Sequence, residues 1–88
     1  MKYVVEYGPA SSREAAQTHF PAHRARYAEF VDEGTLLMIG TFTDMSGAIG
    51  VFTSREAAEE FVKDDPFVLE GVVTSHTIRE WNEVLSES

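Results

Sequence analysis

Thr35-Leu36-Leu37-Met38-Ile39-Gly40-Thr41-Phe42 is the stretch that decides the fold. It reads as a strand that is apolar in both alternating phases, with Leu36 and Met38 expected on one side and Leu37 and Ile39 on the other. Thr43-Asp44-Met45-Ser46-Gly47 has the composition of a hairpin turn, and residues 48–53 return as a second strand. A sheet that is apolar on both faces must be covered on both.

Outward from this hairpin, residues 2–7 alternate and carry Tyr and Val, the pattern of another strand. Gly8-Pro9-Ala10-Ser11-Ser12 is a turn, and either serine can cap the helix that follows. Residues 12–33 are helical in composition but contain Pro21, which removes a backbone donor and crowds the preceding turn. The pattern predicts a kinked helix, or a short turn at 12–18 followed by the main helix from Phe20 or Pro21. Gly34 supplies its stop. Thr53 or Ser54 caps a helix over 55–63 with Ala57, Ala58, Phe61 and Val62 on one face. Asp65 starts a short helical turn that Gly71 ends, residues 72–81 form the last strand, and 82–88 are a polar tail. The order βαββαβ predicts a ferredoxin-like α+β fold, an antiparallel four-stranded sheet with both main helices on one face. The simplest cover for the other face is a second copy of the same sheet in a two-fold homodimer.

Eighty-eight residues make one domain, expected to span 1–88. A chain this short has a marginal core, and oligomerisation is a common remedy where cysteines are absent. Seven Lys and Arg against fifteen Asp and Glu leave a net charge of −8. Nucleic-acid binding and docking on anionic membranes both need the opposite balance. The lack of cysteine fits a cytoplasmic protein. The first residues read as a strand rather than a signal peptide, and no apolar run approaches the ~20 residues of a membrane helix.

Two residues stand out as chemistry. His23 has Phe20, Tyr27 and Phe30 at −3, +4 and +7, which puts it on the core-facing stripe of its helix. A histidine among aromatics needs a polar partner. It serves either as a structural histidine with one satisfied nitrogen or as a general acid or base at a pocket edge. Asp65 precedes Pro66, which suits the first helical position and makes Asp65 an N-cap. One carboxylate oxygen can cap while the other orients His23. His19 lies four residues before His23, a spacing that can hold a metal, but Pro21 intervenes and no third ligand is evident. No metal and no cofactor is therefore expected. His76, on the last strand with Val72, Thr74 and Ile78, reads as a core, interface or pocket-wall residue.

Phe20-Pro21-Ala22-His23, Gly34, Leu36 to Gly40, Ser54-Arg55-Glu56-Ala57-Ala58, Asp65-Pro66-Phe67, Gly71 and Trp81 resemble, in order and across nearly the whole chain, the YCII-related (YciI-like) family. This chain departs from it at Arg24, where an apolar residue is common, and in its short turn at 43–47. The resemblance implies a dimeric α+β barrel with a pocket in which His23 and Asp65 act as an acid–base pair. It also implies a small-molecule enzyme: proton transfer, elimination such as dehydrochlorination, or isomerisation on a small cyclic or phenolic substrate. Tyr27, Met38, Phe67, His76 and Trp81 are the expected pocket walls. The alternative is a non-catalytic dimeric module in which His23 and Asp65 only hold helix and turn together.

Overall fold

The computed structural model describes residues 1–85. The elements run β1 (Lys2–Tyr7), α1 (Arg13–Asp32), β2 (Leu36–Thr41), β3 (Ala48–Phe52), α2 (Arg55–Asp64), α3 (Pro66–Leu69) and β4 (His76–Trp81). The four strands form one sheet in the order β2-β3-β1-β4, with every pair antiparallel. This is the ferredoxin-like arrangement of the dimeric α+β-barrel class.

The long helices begin and end where local chemistry dictates. Ser12 accepts from the Ala15 N–H and Ser54 from the Ala57 N–H, so a serine caps each one. At the end of α1, Gly34 has φ +82°. Its N–H donates to Val31 O, and the Thr35 N–H donates to Phe30 O, the paired bonds that reverse a chain after a helix. The α1 helix runs unbroken through Pro21, so there is no separate turn at 12–18. The proline costs one backbone bond and about 3 kcal/mol. The Ser12 cap before it and burial of His23 and Phe30 after it outweigh that cost.

Cross-strand partners share a face of a sheet. Val5 pairs with Gly50 and Ile78, Tyr7 with Ala48 and His76, and Leu36 with Phe52, and this is the face that the helices cover. Phe30, Phe52 and Phe61 meet there with ring centroids 5.3–6.1 Å apart, joined by Ala58 and Val62 of α2. The opposite face carries Val4, Ile49, Val51, Met38 and Trp81 by the same registers, and among the described residues no helical residue lines the groove on it.

Two details of the strands differ from the sequence reading. Leu36 pairs with Phe52 and Met38 with Val51, so Leu37 is an extra residue in a β-bulge. Leu36 and Met38 therefore point to opposite faces, and Ile39 joins Leu36 on the covered one. Strand β4 begins at His76 rather than at residue 72. Val72 and Val73 are buried, but their backbone bonds go to Ser11 and to Phe67 O, and Val73 makes only an isolated bridge to Ala10. Tying down the end of α3 takes precedence over extending the ladder. The tail is tethered where Glu83 pairs with Lys2 at 2.9 Å, and residues 86–88 of the expected polar tail lie outside the described residues.

Candidate active site

Asp65 sits between α2 and α3 and is 0% exposed. Pro66 follows at the first position of α3, where its fixed φ and missing N–H cost nothing. A carboxylate sealed from water is costly unless donors surround it. Three elements supply them. From α1, the His23 Nδ1–H donates to Oδ1 at 2.7 Å. From α3, the Phe67 N–H donates to the same oxygen at 3.3 Å. From β1, the Tyr7 hydroxyl donates to Oδ2 at 2.5 Å. Asp65 thus caps a helix and orients a histidine at once.

His23 is 8% exposed and is held by aromatic rings. Phe67 stacks on it with centroids 3.9 Å apart and planes 6° from parallel. Tyr27 and Phe61 meet it edge-on at 5.3 and 6.2 Å, and Phe20 lies tilted at 6.1 Å. The Asp-Pro-Phe motif therefore does three jobs: the acid accepts, the proline starts the turn, and the phenylalanine fixes the imidazole plane. With Nδ1 donating to a carboxylate, the neutral ring carries its lone pair on Nε2. His23 lines a cavity of about 790 Å³ between α1 and the sheet.

Tyr7 was not singled out by the sequence reading. Burial, then its hydrogen bond to Asp65, then the charge of Asp65 push its phenol far above the ordinary range, against a small opposing effect of Arg26. The hydroxyl is a fixed donor under ordinary conditions. A signal did exist: Tyr3, Val5 and Tyr7 share one phase of β1, and a tyrosine on a core-facing phase needs a partner for its hydroxyl.

Small residues are part of the cavity wall on both sides, Ala48 and Gly50 from the sheet and Ala16 from α1. A Cβ at Gly50 would come within 3.3–3.8 Å of Phe52, Leu36 and Ile39. Of the expected walls, Tyr27 and Phe67 line this cavity. Met38 and Trp81 do not. They line a separate groove of about 630 Å³ on the uncovered sheet face, because the bulge at Leu37 turns Met38 outward and the β4 register pairs Trp81 with Lys2. His76 lines neither space; its ring lies edge-on to Tyr7 at 6.4 Å. His23 Nδ1 is committed to Asp65, and among the described residues no three His, Asp or Glu side chains gather as metal ligands. No helix among the described residues is long and apolar enough to cross a membrane.

Solved structures share this fold. A 5-chloro-2-hydroxyhydroquinone dehydrochlorinase from Burkholderia phenoliruptrix AC1100, in complex with 2,5-dihydroxybenzoquinone, matches with a TM-score of 0.65 at 17% identity. The match covers 93% of this chain and 94% of that one. An antibiotic biosynthesis monooxygenase matches at 0.61 and 16% identity over 96% and 99% of the two chains. A cofactor-independent oxygenase from Streptomyces nogalater matches at 0.54 and 16% identity over 98% and 96%. At such identities the likeness speaks to the fold. No curated protein matches the chain in sequence. A family model for the YCII-related domain matches residues 1–82, the span that carries β1 through β4 and every residue of the His23–Asp65–Tyr7 cluster, and the chain belongs to the YCII-related family.

Proposed function

We propose that the protein is a small-molecule enzyme in which His23 and Asp65 form an acid–base pair. One observation carries this reading: Nδ1 is bound to Asp65 at 2.7 Å, while the ring lines an apolar cavity with its second nitrogen unused among the described residues. In this reading Nε2 takes a proton from a hydroxyl or acidic C–H of a small cyclic or phenolic substrate. Asp65 holds the tautomer and stabilises the imidazolium that forms, and Phe67 and Tyr27 keep the ring in plane. The proton returns to another atom of the same molecule in an isomerisation. In an elimination the electrons of the broken bond form a new π bond, chloride leaves with its bonding pair, and the proton goes to solvent. The bound quinone in the dehydrochlorinase of the same fold favours a cyclic substrate.

The test is turnover of chlorinated hydroxyquinols and related phenols, followed by chloride release and absorbance. Replacing His23 with Gln should lower the rate about 10²- to 10⁴-fold while quinone binding persists. Binding without turnover in the unaltered protein would instead favour the non-catalytic module, for which the cluster is a tie between β1, α1 and α3.

The working unit in this proposal is a homodimer joined through the uncovered sheet face. Met38 and Trp81 there are 58% and 42% exposed beside Val4, Ile49 and Val51. A second copy of the same face is apolar in the same places and would cover them. A stable monomer by light scattering at micromolar concentration would count against it.

A further inference from the structure

The cavity departs from the charge balance of the rest of the chain. Acidic residues outnumber basic ones by fifteen to seven. Yet among the described residues no Asp or Glu lines the cavity, and one cation, Arg13, does. Asp65 lies behind His23 and does not line the space. Of the other arginines, Arg26 donates to Glu60 O, Arg55 lies over the Tyr3 ring and Arg79 pairs with Glu6 on the outer face. Arg13 makes no hydrogen bond or ion pair among the described residues.

Arg13, Gln17, Phe20, His23 and Tyr27 follow one another at steps of three and four, so they form one stripe along α1, and all five line the cavity. The wall is therefore polar at both ends and apolar between, with Ala16 and Phe20 in the middle. Ten residues separate Arg13 from His23, about 15 Å along the helix axis. Helical side chains share a lean toward the N-terminus, so Arg13 and His23 lean the same way and their axial separation is kept. A group held by both has to be longer than a single six-membered ring.

We propose that the cavity takes an elongated aromatic carboxylate. Its ring hydroxyl or acidic C–H meets His23 Nε2, and its carboxylate is held by the Arg13 guanidinium with Gln17 beside it. This rests on the reading of His23 as the proton-transfer group. A guanidinium binds a carboxylate through two parallel N–H bonds, and among the described residues no acidic side chain lines the cavity to compete for it. The chain's overall negative charge repels anions elsewhere, so the attraction is local and weakens with salt.

The experiment is calorimetric titration of the full chain with two probes. One is a hydroxynaphthoate with hydroxyl and carboxylate at opposite ends of the ring pair; the other is the naphthol lacking the carboxylate. Unaltered protein should bind the naphthoate about tenfold or more tighter than the naphthol. Arg13→Gln should remove that preference and leave naphthol binding unchanged, since Arg13 is exposed and its loss disturbs no packing. His23→Gln should leave the naphthoate's advantage over the naphthol in place. Equal binding of the two probes, or a preference that survives Arg13→Gln, overturns the carboxylate assignment and leaves the proposed acid–base site standing. If neither probe binds at millimolar concentration, the carboxylate assignment falls, and hydroxyquinol turnover alone then decides the acid–base site.

Discussion

Val5 and Tyr7 point from β1 under the helices, where Tyr7 is bound to a carboxylate with no solvent exposure. Val4 and Glu6, one residue along, point to the other face, whose groove no helical residue lines among the described residues. There Glu6 meets Arg79 at 3.0 Å in the open, a pair that contributes little to stability. On the inner face three separate elements supply donors to one buried acid. On the outer face only neighbouring strands are present, and they offer apolar side chains and surface ions. The difference teaches where chemistry can be built. A buried ionisable group needs convergence of several elements, and only the helix side of the sheet provides it. The outer side is suited to a flat partner of the same kind.

Substitutions can break or sharpen that contrast. The largest effect is expected for Asp65→Asn, which keeps the shape and a capping oxygen but removes the charge behind His23. Turnover should fall about 10²- to 10⁴-fold with the fold retained by circular dichroism. An unchanged rate would mean that the inner cluster is structural. Asp65→Ala goes further by leaving the Tyr7 hydroxyl and the His23 Nδ1–H without an acceptor. With two buried donors unsatisfied, it should lower unfolding stability by about 2–6 kcal/mol in urea titration.

Tyr7→Phe is milder, about 1–3 kcal/mol, because one oxygen of Asp65 keeps its two other donors. It also has a pH signature. The native phenol is raised above its ordinary value of 10.0, so its contribution is fully present below that pH. Above it the unfolded chain ionises first, and stability should fall by about 1.4 kcal/mol per pH unit from this group. Urea midpoints between about pH 10 and 11.5 should drop more steeply in the unaltered protein than in Tyr7→Phe. Parallel slopes would remove Tyr7 from the buried cluster.

The smallest effect on the protomer is expected on the outer face. Met38 is largely exposed, so Met38→Glu should change intrinsic stability by no more than about 0.5 kcal/mol. It should nevertheless shift light scattering from dimer to monomer, because two copies would bring like charges into an apolar contact. A dimer that persists unchanged would show that the copies meet elsewhere.

The helix at 55–63, the Ser12 and Gly34 boundaries, and the βαββαβ order are local matters of capping, periodicity and turn residues, and they are legible in the chain itself. The chain itself asks only that a histidine on an apolar stripe find a polar partner and that Asp65 cap the turn begun by Pro66; the family resemblance implied that the two meet, and their contact at 2.7 Å is a matter of packing. Other features depend on registers that no local pattern encodes. The bulge at Leu37 reverses the phase of β2 and sends Met38 to the outer groove, although alternation alone places it with Leu36. Val72 and Val73 look like strand residues, yet their backbone serves α3 and the Ser11 turn. Tyr7 reaches Asp65 across a separation of 58 residues, which only packing of β1 beneath α3 brings within 2.5 Å. Helix ends and faces follow from contacts between residues a few positions apart. Which oxygen a buried carboxylate offers to which donor follows from how distant elements pack, and that is decided only when the whole core closes.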